Sequence, residues 1–280
     1  QRWDIKELCD IVNPEISILT WITMQHLERF GNIENIISAK FEILENTKAG
    51  WIGYYDINSS ETLQWMDKYS EILKSIKLVW IDGNIDFEYK SDLQWMKFDY
   101  DGNVFETKLL APHNILQIIV WYEIGKELWI NPSKISEAVK NLDYIKHRLE
   151  LIYNPIKWIF VLDDSYNWNI KWVQSIISMF QKMWLKNRKI YLTPWIVELW
   201  KDNKKVHFEL GKQLWITFDE YLLIENEGTK SLAKWLILVW VPQSCISFYS
   251  SAQIVHENLK NILRKWDVIV FQNDLTDNYV

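Results

Sequence analysis

The chain has 280 residues, of which 49% are hydrophobic and 24% are charged. This composition excludes a disordered or fibrous protein and leaves room for two globular domains. The net charge of −6, without a basic stripe, argues against a nucleic-acid-binding groove. No apolar run approaches the roughly 18 residues of a membrane span. Two distant cysteines, Cys9 and Cys245, fit a reducing cytosol, so a cytoplasmic location is expected.

In the first half of the chain, short apolar runs alternate with amphipathic stretches, which is typical of βαβ units around a mostly parallel sheet. The predicted strands are Ile16 to Thr20, Ile52 to Tyr55 and Ile76 to Val79, and the predicted helices are Ile33 to Glu45 and Ser60 to Leu73. Between Ile85 and Leu110 the pattern becomes an alternation around an Asp101-Gly102 turn, which predicts an antiparallel meander. Helices are expected next at His113 to Leu128 and Pro132 to Leu142.

The second half repeats a cycle of strand and helix. Its strands are expected at Ile159 to Leu162, Lys189 to Leu192, Tyr221 to Ile224, Cys245 to Tyr249 and Asp267 to Phe271. Such a cycle predicts a separate Rossmann-like domain, with a boundary near residues 148–156. The predicted fold class is therefore α/β, with a mostly parallel sheet and a meander first and a Rossmann-like domain second.

Tryptophan and glycine have exchanged their usual frequencies. The chain has 18 Trp and 8 Gly, where about 20 Gly would be normal. Trp168, Trp195 and Trp266 stand where a turn or a helix end calls for glycine. One hypothesis is that most of the tryptophans are glycines in the natural protein, encoded by UGA codons that the source organism reads as glycine. The alternative is a truly tryptophan-rich protein, such as a carbohydrate or aromatic-ligand binder.

Four segments carry a resemblance to a known family. They are Asn13 to Thr20 with Gln25 to Gly31 and Ala39 to Ile43; Pro112 to Ile115; Arg148 to Glu150 with Leu162 to Asn169; and Val197 to Trp200. In this order they resemble the Mur ligases, ATP-dependent amino-acid-adding enzymes of peptidoglycan synthesis, and most closely the D-alanyl-D-alanine-adding branch. The resemblance implies that residues 1–150 are the C-terminal part of the central ATP-binding domain and residues 151–280 the C-terminal Rossmann-like domain.

The resemblance also implies a Mg²⁺ site. His26 would help to hold the ion, and Lys40 would be carbamylated by CO₂, which turns a cation into an oxygen ligand suited to a hard metal. Both would be catalytic residues of the family. Without the resemblance, His26 is an ordinary partly buried loop histidine and Lys40 a solvated helix lysine.

Five residues would bind ATP by the same resemblance. Asn114 would contact adenine, Arg148 would reach the phosphates, and Asp164 with Tyr166 and Asn167 would contact the ribose after a strand of the second sheet. Each has a plainer alternative. Asn114 could cap a helix, Arg148 could pair with a surface acid, and the last three could form a polar turn.

The activity implied by the resemblance is the joining of a carboxylate to an amine. ATP would convert the carboxylate of a UDP-linked muramoyl peptide to an acyl phosphate, which the amine, expected to be D-alanyl-D-alanine, then attacks. Both steps concentrate negative charge, which Mg²⁺ and fixed donors offset. The protein is expected to be monomeric and to bind no nucleic acid.

Two departures from the family keep alternatives open. No G-x-x-x-x-G-K-[ST] phosphate loop is present, even with every Trp read as Gly, so the chain is expected to be an N-terminally truncated fragment without turnover of its own. Phe271 to Asp277 stands where the D-alanyl-D-alanine-adding branch has Lys-Gly-Ser. The alternatives are a divergent paralogue that adds another amine, and a non-catalytic nucleotide- or protein-binding module.

Overall fold

The structure is a computed structural model of the chain. It describes residues 4–20, 22, 30–56, 60–81, 90–166, 170–183, 185–194 and 203–273. These residues divide between two compact units, unit 1 with residues 1–87 and 113–135, and unit 2 with residues 88–112 and 136–280. The predicted domain boundary at residue 150 stays a prediction. No described helix is both long and apolar enough to cross a membrane.

Unit 1 contains a three-stranded parallel sheet with the order β1-β2-β3. Its strands are β1 (Ile16–Leu19), β2 (Ile52–Asp56) and β3 (Lys77–Ile81), and its helices are α1 (Asp4–Val12), α2 (Ile33–Glu45), α3 (Ser60–Lys68), α4 (Ser70–Leu73) and α5 (His113–Glu127). Helix α2 begins where the Asn32 side chain accepts the Asn35 N–H at 2.8 Å. It buries Phe41 completely, against Tyr69. Helix α6 (Pro132–Lys140) follows α5.

Unit 2 contains two sheets. The smaller is an antiparallel meander of β4 (Lys90–Ser91), β5 (Met96–Tyr100) and β6 (Asn103–Thr107). The larger has six strands in the order β11-β10-β9-β12-β8-β7. They are β7 (Glu150–Asn154), β8 (Ile159–Asp164), β9 (Lys189–Thr193), β10 (Glu220–Ile224), β11 (Ile246–Tyr249) and β12 (Val268–Gln272). Strand β7 pairs antiparallel with β8, and the other neighbours pair in parallel.

Four helices accompany the larger sheet. They are α7 (Ile170–Lys182), α8 (Asn203–Leu214), α9 (Glu227–Leu238) and α10 (Ala252–Ile262). Ile190, Leu222 and Ile269, on three neighbouring strands, share a core cluster with Val255 of α10. Strands covered in this way have nearly continuous apolar sequences, which is why the sequence pattern identified them.

The α/β fold class is confirmed, and so are the meander and the strand and helix cycle. Two details differ. The helix predicted over residues 60–73 is divided into α3 and α4. Strand β7 was not predicted, because three of its five residues are exposed and it lacks the apolar run of its neighbours.

Four tryptophans adopt left-handed backbone conformations: Trp129, Trp158, Trp240 and Trp266 have φ angles of 59°, 56°, 66° and 72°. Trp266 is therefore at a glycine-favouring position, as its sequence context predicts. Trp168 and Trp195, for which the same was predicted, lie outside the described residues.

Candidate functional site

Polar side chains are buried at the carboxyl end of the six-stranded sheet, where β8 and β12 lie side by side. Asp164 ends β8 and is 1% exposed, and it lies opposite Gln272 in the parallel register. The Gln272 side chain donates from Nε2 to Asp164 Oδ2 at 2.5 Å. The Asn273 backbone N–H donates to the Asp164 carbonyl oxygen at 3.1 Å. Ligands of open α/β sheets bind at this edge, so it is the candidate site of unit 2.

Burial raises the pKa of the Asp164 carboxyl group to about 7. The hydrogen bonds from Gln272 and the Leu149 N–H, and the charge of Arg148, act against this rise but do not cancel it. A carboxyl group held in an apolar setting disfavours its charged form. Asp164 is therefore divided between its protonated and ionised forms near neutral pH.

The segment of residues 147–149 lies against these carboxyl groups in an unusual conformation. His147 and Leu149, on either side of Arg148, have φ angles of 62° and 52°. Such angles are uncommon for residues with side chains and persist where surrounding contacts impose them. Here Leu149 N donates to Asp164 Oδ1 at 3.1 Å, and His147 Nδ1 lies 2.8 Å from Asp163 Oδ2. Two adjacent carboxyl groups thus each hold one neighbour of Arg148.

The Arg148 side chain is partly exposed and stacks on aromatic rings. Its guanidinium carbon lies 4.8 Å from the Tyr166 ring centroid and 5.8 Å from that of Trp172. The Tyr166 N–H donates to the His147 carbonyl oxygen at 3.1 Å, which ties the aromatic residue to the same segment. Tyr166 is 41% exposed. Arg148 and Tyr166 together therefore present a cation and an aromatic face at the sheet edge.

Three side chains at this edge could offer metal ligands. Donor atoms of His147, Glu150 and Asp163 all lie within 4.8 Å of one another. Asp163 already accepts hydrogen bonds at Oδ1 from the Ser165 N–H and hydroxyl, and its Oδ2 faces His147. Glu150 accepts the His147 N–H at 3.2 Å. Internal hydrogen bonds account for this cluster without an ion.

In unit 1 the predicted site residues are less completely defined. Lys40 lies on α2 and is half-buried, not fully solvated. Asn114 is half-buried within the first turn of α5, which begins at His113, so it is not the residue preceding the helix. His113 is buried, and its burial lowers its pKa to about 3. His26 and, in unit 2, Asn167 lie outside the described residues.

The structure places Arg148, Asp164 and Tyr166 close together, and their roles in binding ATP stay a prediction. Sequence reasoning missed Gln272 and His147. Gln272 could have been found from the register of a parallel sheet, because both it and Asp164 end strands. His147 could not, since a histidine before an arginine carries no signal of a positive φ.

Residues 2–120 match the family model described as the Mur ligase middle domain. This part of the chain is therefore similar to the middle domain of Mur ligases. The chain is also 25% identical over 227 residues to the UDP-N-acetylmuramoyl-tripeptide--D-alanyl-D-alanine ligase of Borreliella burgdorferi, a match that covers 79% of this chain and 48% of that protein. The chain thus spans about half the length of this relative.

Two further likenesses complete the comparison. The UDP-N-acetylmuramoylalanine--D-glutamate ligase of Prochlorococcus marinus is 27% identical over 171 residues, covering 58% of this chain and 33% of that protein. The crystal structure of the MurF ligase from Thermotoga maritima in complex with ADP superposes with a TM-score of 0.77 at 20% identity, covering 98% of this chain and 62% of that one. The structural likeness supports the fold across both units.

Proposed function

We propose that this chain is part of an ATP-dependent ligase that adds D-alanyl-D-alanine to a UDP-linked muramoyl peptide in the cytoplasm. The observation that carries the proposal is the match to the D-alanyl-D-alanine ligase of Borreliella burgdorferi, which extends over 79% of the chain and so spans both units. The partly exposed cation of Arg148 and the exposed ring of Tyr166, at the edge of an α/β sheet where ligands bind, fit a nucleotide.

Each site residue has a role in this proposal. ATP would supply the phosphoryl group that activates the carboxylate, with Mg²⁺ offsetting its charge. Arg148 would bind phosphate, and Tyr166 would contact the nucleoside with Asn167. Asp164 would act through its hydrogen bond to Leu149, because its own carboxyl group is buried.

The unit 1 residues have proposed roles of their own. Lys40, half-buried on α2, would be the carbamylated lysine. In that form Lys40 would ligate Mg²⁺ with His26. Asn114, in the first turn of α5, would contact adenine.

The D-glutamate-adding activity is the second candidate. Relatives of that branch match the chain at similar identity, although over less of its length. The segment Phe271 to Asp277 differs in sequence from the Lys-Gly-Ser of the D-alanyl-D-alanine-adding branch, which is also compatible with a different amine substrate.

The test is a ligase assay on the complete gene product. ADP release should require both UDP-N-acetylmuramoyl-tripeptide and D-alanyl-D-alanine, and residues 1–280 alone should show no turnover. Release with UDP-N-acetylmuramoylalanine and D-glutamate instead would favour the second candidate, and release with neither pair would contradict both.

The role of Lys40 has its own test. Lys40→Ala should reduce turnover at least 100-fold, and added short-chain carboxylic acids should restore part of the activity. Lys140→Ala serves as a matched helix-surface control.

A further inference from the structure

Four tryptophans have a backbone conformation that residues other than glycine rarely adopt. Twelve of the 18 tryptophans lie among the described residues, and four of these twelve have positive φ. A left-handed conformation brings Cβ too close to the carbonyl oxygen, and a bulky side chain does nothing to relieve this. Glycine, which has no Cβ, is the usual residue there.

The first of these positions ends α5. The Ile130 N–H donates to the Gly125 carbonyl oxygen at 2.9 Å, and the Trp129 N–H donates to the Lys126 carbonyl oxygen at 3.0 Å. These two bonds define a Schellman motif, in which the residue after the helix cap is left-handed and is usually glycine. Trp129 is that residue, with φ 59°, and 95% of it is exposed. Its ring gains no burial to offset the backbone strain.

The same motif ends α9. The Val241 N–H donates to the Leu236 carbonyl oxygen at 3.0 Å, and the Trp240 N–H donates to the Ile237 carbonyl oxygen at 3.1 Å. Trp240 again holds the left-handed position, with φ 66° and 91% exposure. Two helices in different units therefore each end in a Schellman motif that has tryptophan at the position where glycine is usual.

The other two positions are turns that precede strands. The Asp267 N–H donates to the Arg264 carbonyl oxygen at 3.2 Å, which closes a four-residue turn with Trp266 third at φ 72°. A positive φ at the third residue of a turn requires glycine or asparagine. Trp158, at φ 56°, ends the loop between β7 and β8, where hairpins place glycine.

Five of the six other left-handed residues that are not glycine have an evident reason, whereas nothing in the structure explains Ala111 at φ 72°. Asn13, Asp101 and Asn273 are residue types that tolerate the conformation. His147 and Leu149 are held by hydrogen bonds to the two carboxyl groups described above. The rings of Trp158 and Trp266 contact each other with centroids 4.5 Å apart, yet both residues remain about half-exposed.

We propose that the natural protein carries glycine at positions 129, 158, 240 and 266, and that these codons are UGA, decoded by the source organism as glycine. The composition agrees, since 18 Trp accompany only 8 Gly where about 20 Gly would be usual. Two of the positions end helices and two lie in turns, and the feature common to all four is the backbone conformation that glycine permits.

The direct test reads the gene and the native protein. The four codons should be UGA, and peptides of the protein isolated from its source should have the masses expected for glycine at these positions. UGG codons, or peptides with tryptophan, would overturn the proposal.

A stability series tests the physical basis independently. In the 280-residue chain, Trp129→Gly and Trp240→Gly should each raise Tm by about 2 °C or more, because the left-handed strain is removed. Trp129→Ala removes the same ring but keeps Cβ, so it should not reproduce the rise. Trp65→Gly, within α3, should lower Tm. Equal effects of glycine and alanine at position 129 would refute the backbone explanation.

Discussion

The two ends of the six-stranded sheet in unit 2 use charge in opposite ways. At the amino end, Arg188 donates four hydrogen bonds, to the carboxylates of Glu220 and Asp267 and to the Ile262 carbonyl oxygen. At the carboxyl end, Asp164 is buried with a raised pKa, and the Gln272 Oε1 atom beside it has no hydrogen-bond partner among the described residues. The first end is built for stability. The second keeps groups whose charge and pairing can change, which is what a binding site requires.

The amino-end network ties three strands together. Arg188 immediately precedes β9, and its guanidinium donates to Glu220, the first residue of β10, at 2.5 Å. It also donates to both oxygens of Asp267, just before β12, and to the Ile262 carbonyl oxygen. The hydrogen bond to Asp267 raises the pKa of Arg188 further, so it stays charged. A planar guanidinium group can donate several hydrogen bonds at once, so each carboxylate beside it accepts at least one.

The largest expected effect is on stability at the amino end. Arg188→Ala would remove the cation that pairs with Asp267, whose side chain is 4% exposed, and would leave it the hydrogen bond from the Arg264 N–H. Removing one member of a buried pair in this way should lower the free energy of unfolding by about 3 kcal/mol or more. Urea denaturation measures it. Lys204→Ala, which breaks the exposed pair with Glu227, is the control and should change stability little. Similar small effects for both variants would remove the contrast between the two ends.

A smaller and pH-dependent effect is expected at Asp164. Its pKa is about 7 in the folded chain against 3.8 as the ordinary value, so the folded chain binds more protons between these limits. The stability that Asp164 contributes is therefore present at low pH and is lost as the pH rises toward and through 7. Asp164→Asn cannot ionise, and its amide could donate to Gln272 Oε1. The free energy of unfolding of this variant, relative to that of the parent chain, should increase by about 2 to 4 kcal/mol from pH 4 to pH 8.

Thermal or urea unfolding at both pH values tests this expectation. Asp99→Asn, an exposed change on β5, is the control and should leave the pH dependence of the parent chain in place. A constant difference between Asp164→Asn and the parent chain across this range would show that Asp164 is ionised in the folded protein. The two ends of the sheet would then differ less than the geometry indicates.

The smallest effect is expected at His147. His147→Gly loses a partly exposed contact with Asp163 but relieves a left-handed residue, so the two changes should nearly cancel, to within about 1 kcal/mol. Chemical denaturation of the variant beside Arg188→Ala measures this directly. A loss as large as that of Arg188→Ala would make the carboxyl end a second structural network.

Sequence alone predicted the parts of unit 2 that depend on local pattern. Strands β9 and β12 are continuous apolar runs, and the Asp101-Gly102 turn identifies the meander. The family resemblance predicted that Arg148, Asp164 and Tyr166 bind the same nucleotide, and this stays a prediction, although the structure places the three residues close together. The sequence could not predict the contacts between distant residues, because Gln272 meets Asp164 across 108 positions. Arg188 likewise meets Asp267 across 79 positions, so no local spacing indicates either pair.

The place of β12 in the sheet has a consequence for how unit 2 is made. β12 inserts between β8 and β9, whose paired residues precede it in the chain by 108 and 79 positions. During synthesis β8 and β9 emerge before β12, and the edge of each strand that pairs with β12 stays unpaired until then. Pairing over such separations carries a large loop-closure cost and slows folding. A ribosome-bound chain halted before residue 268 should therefore remain protease-sensitive, and release of the final strand should complete the sheet in one cooperative step.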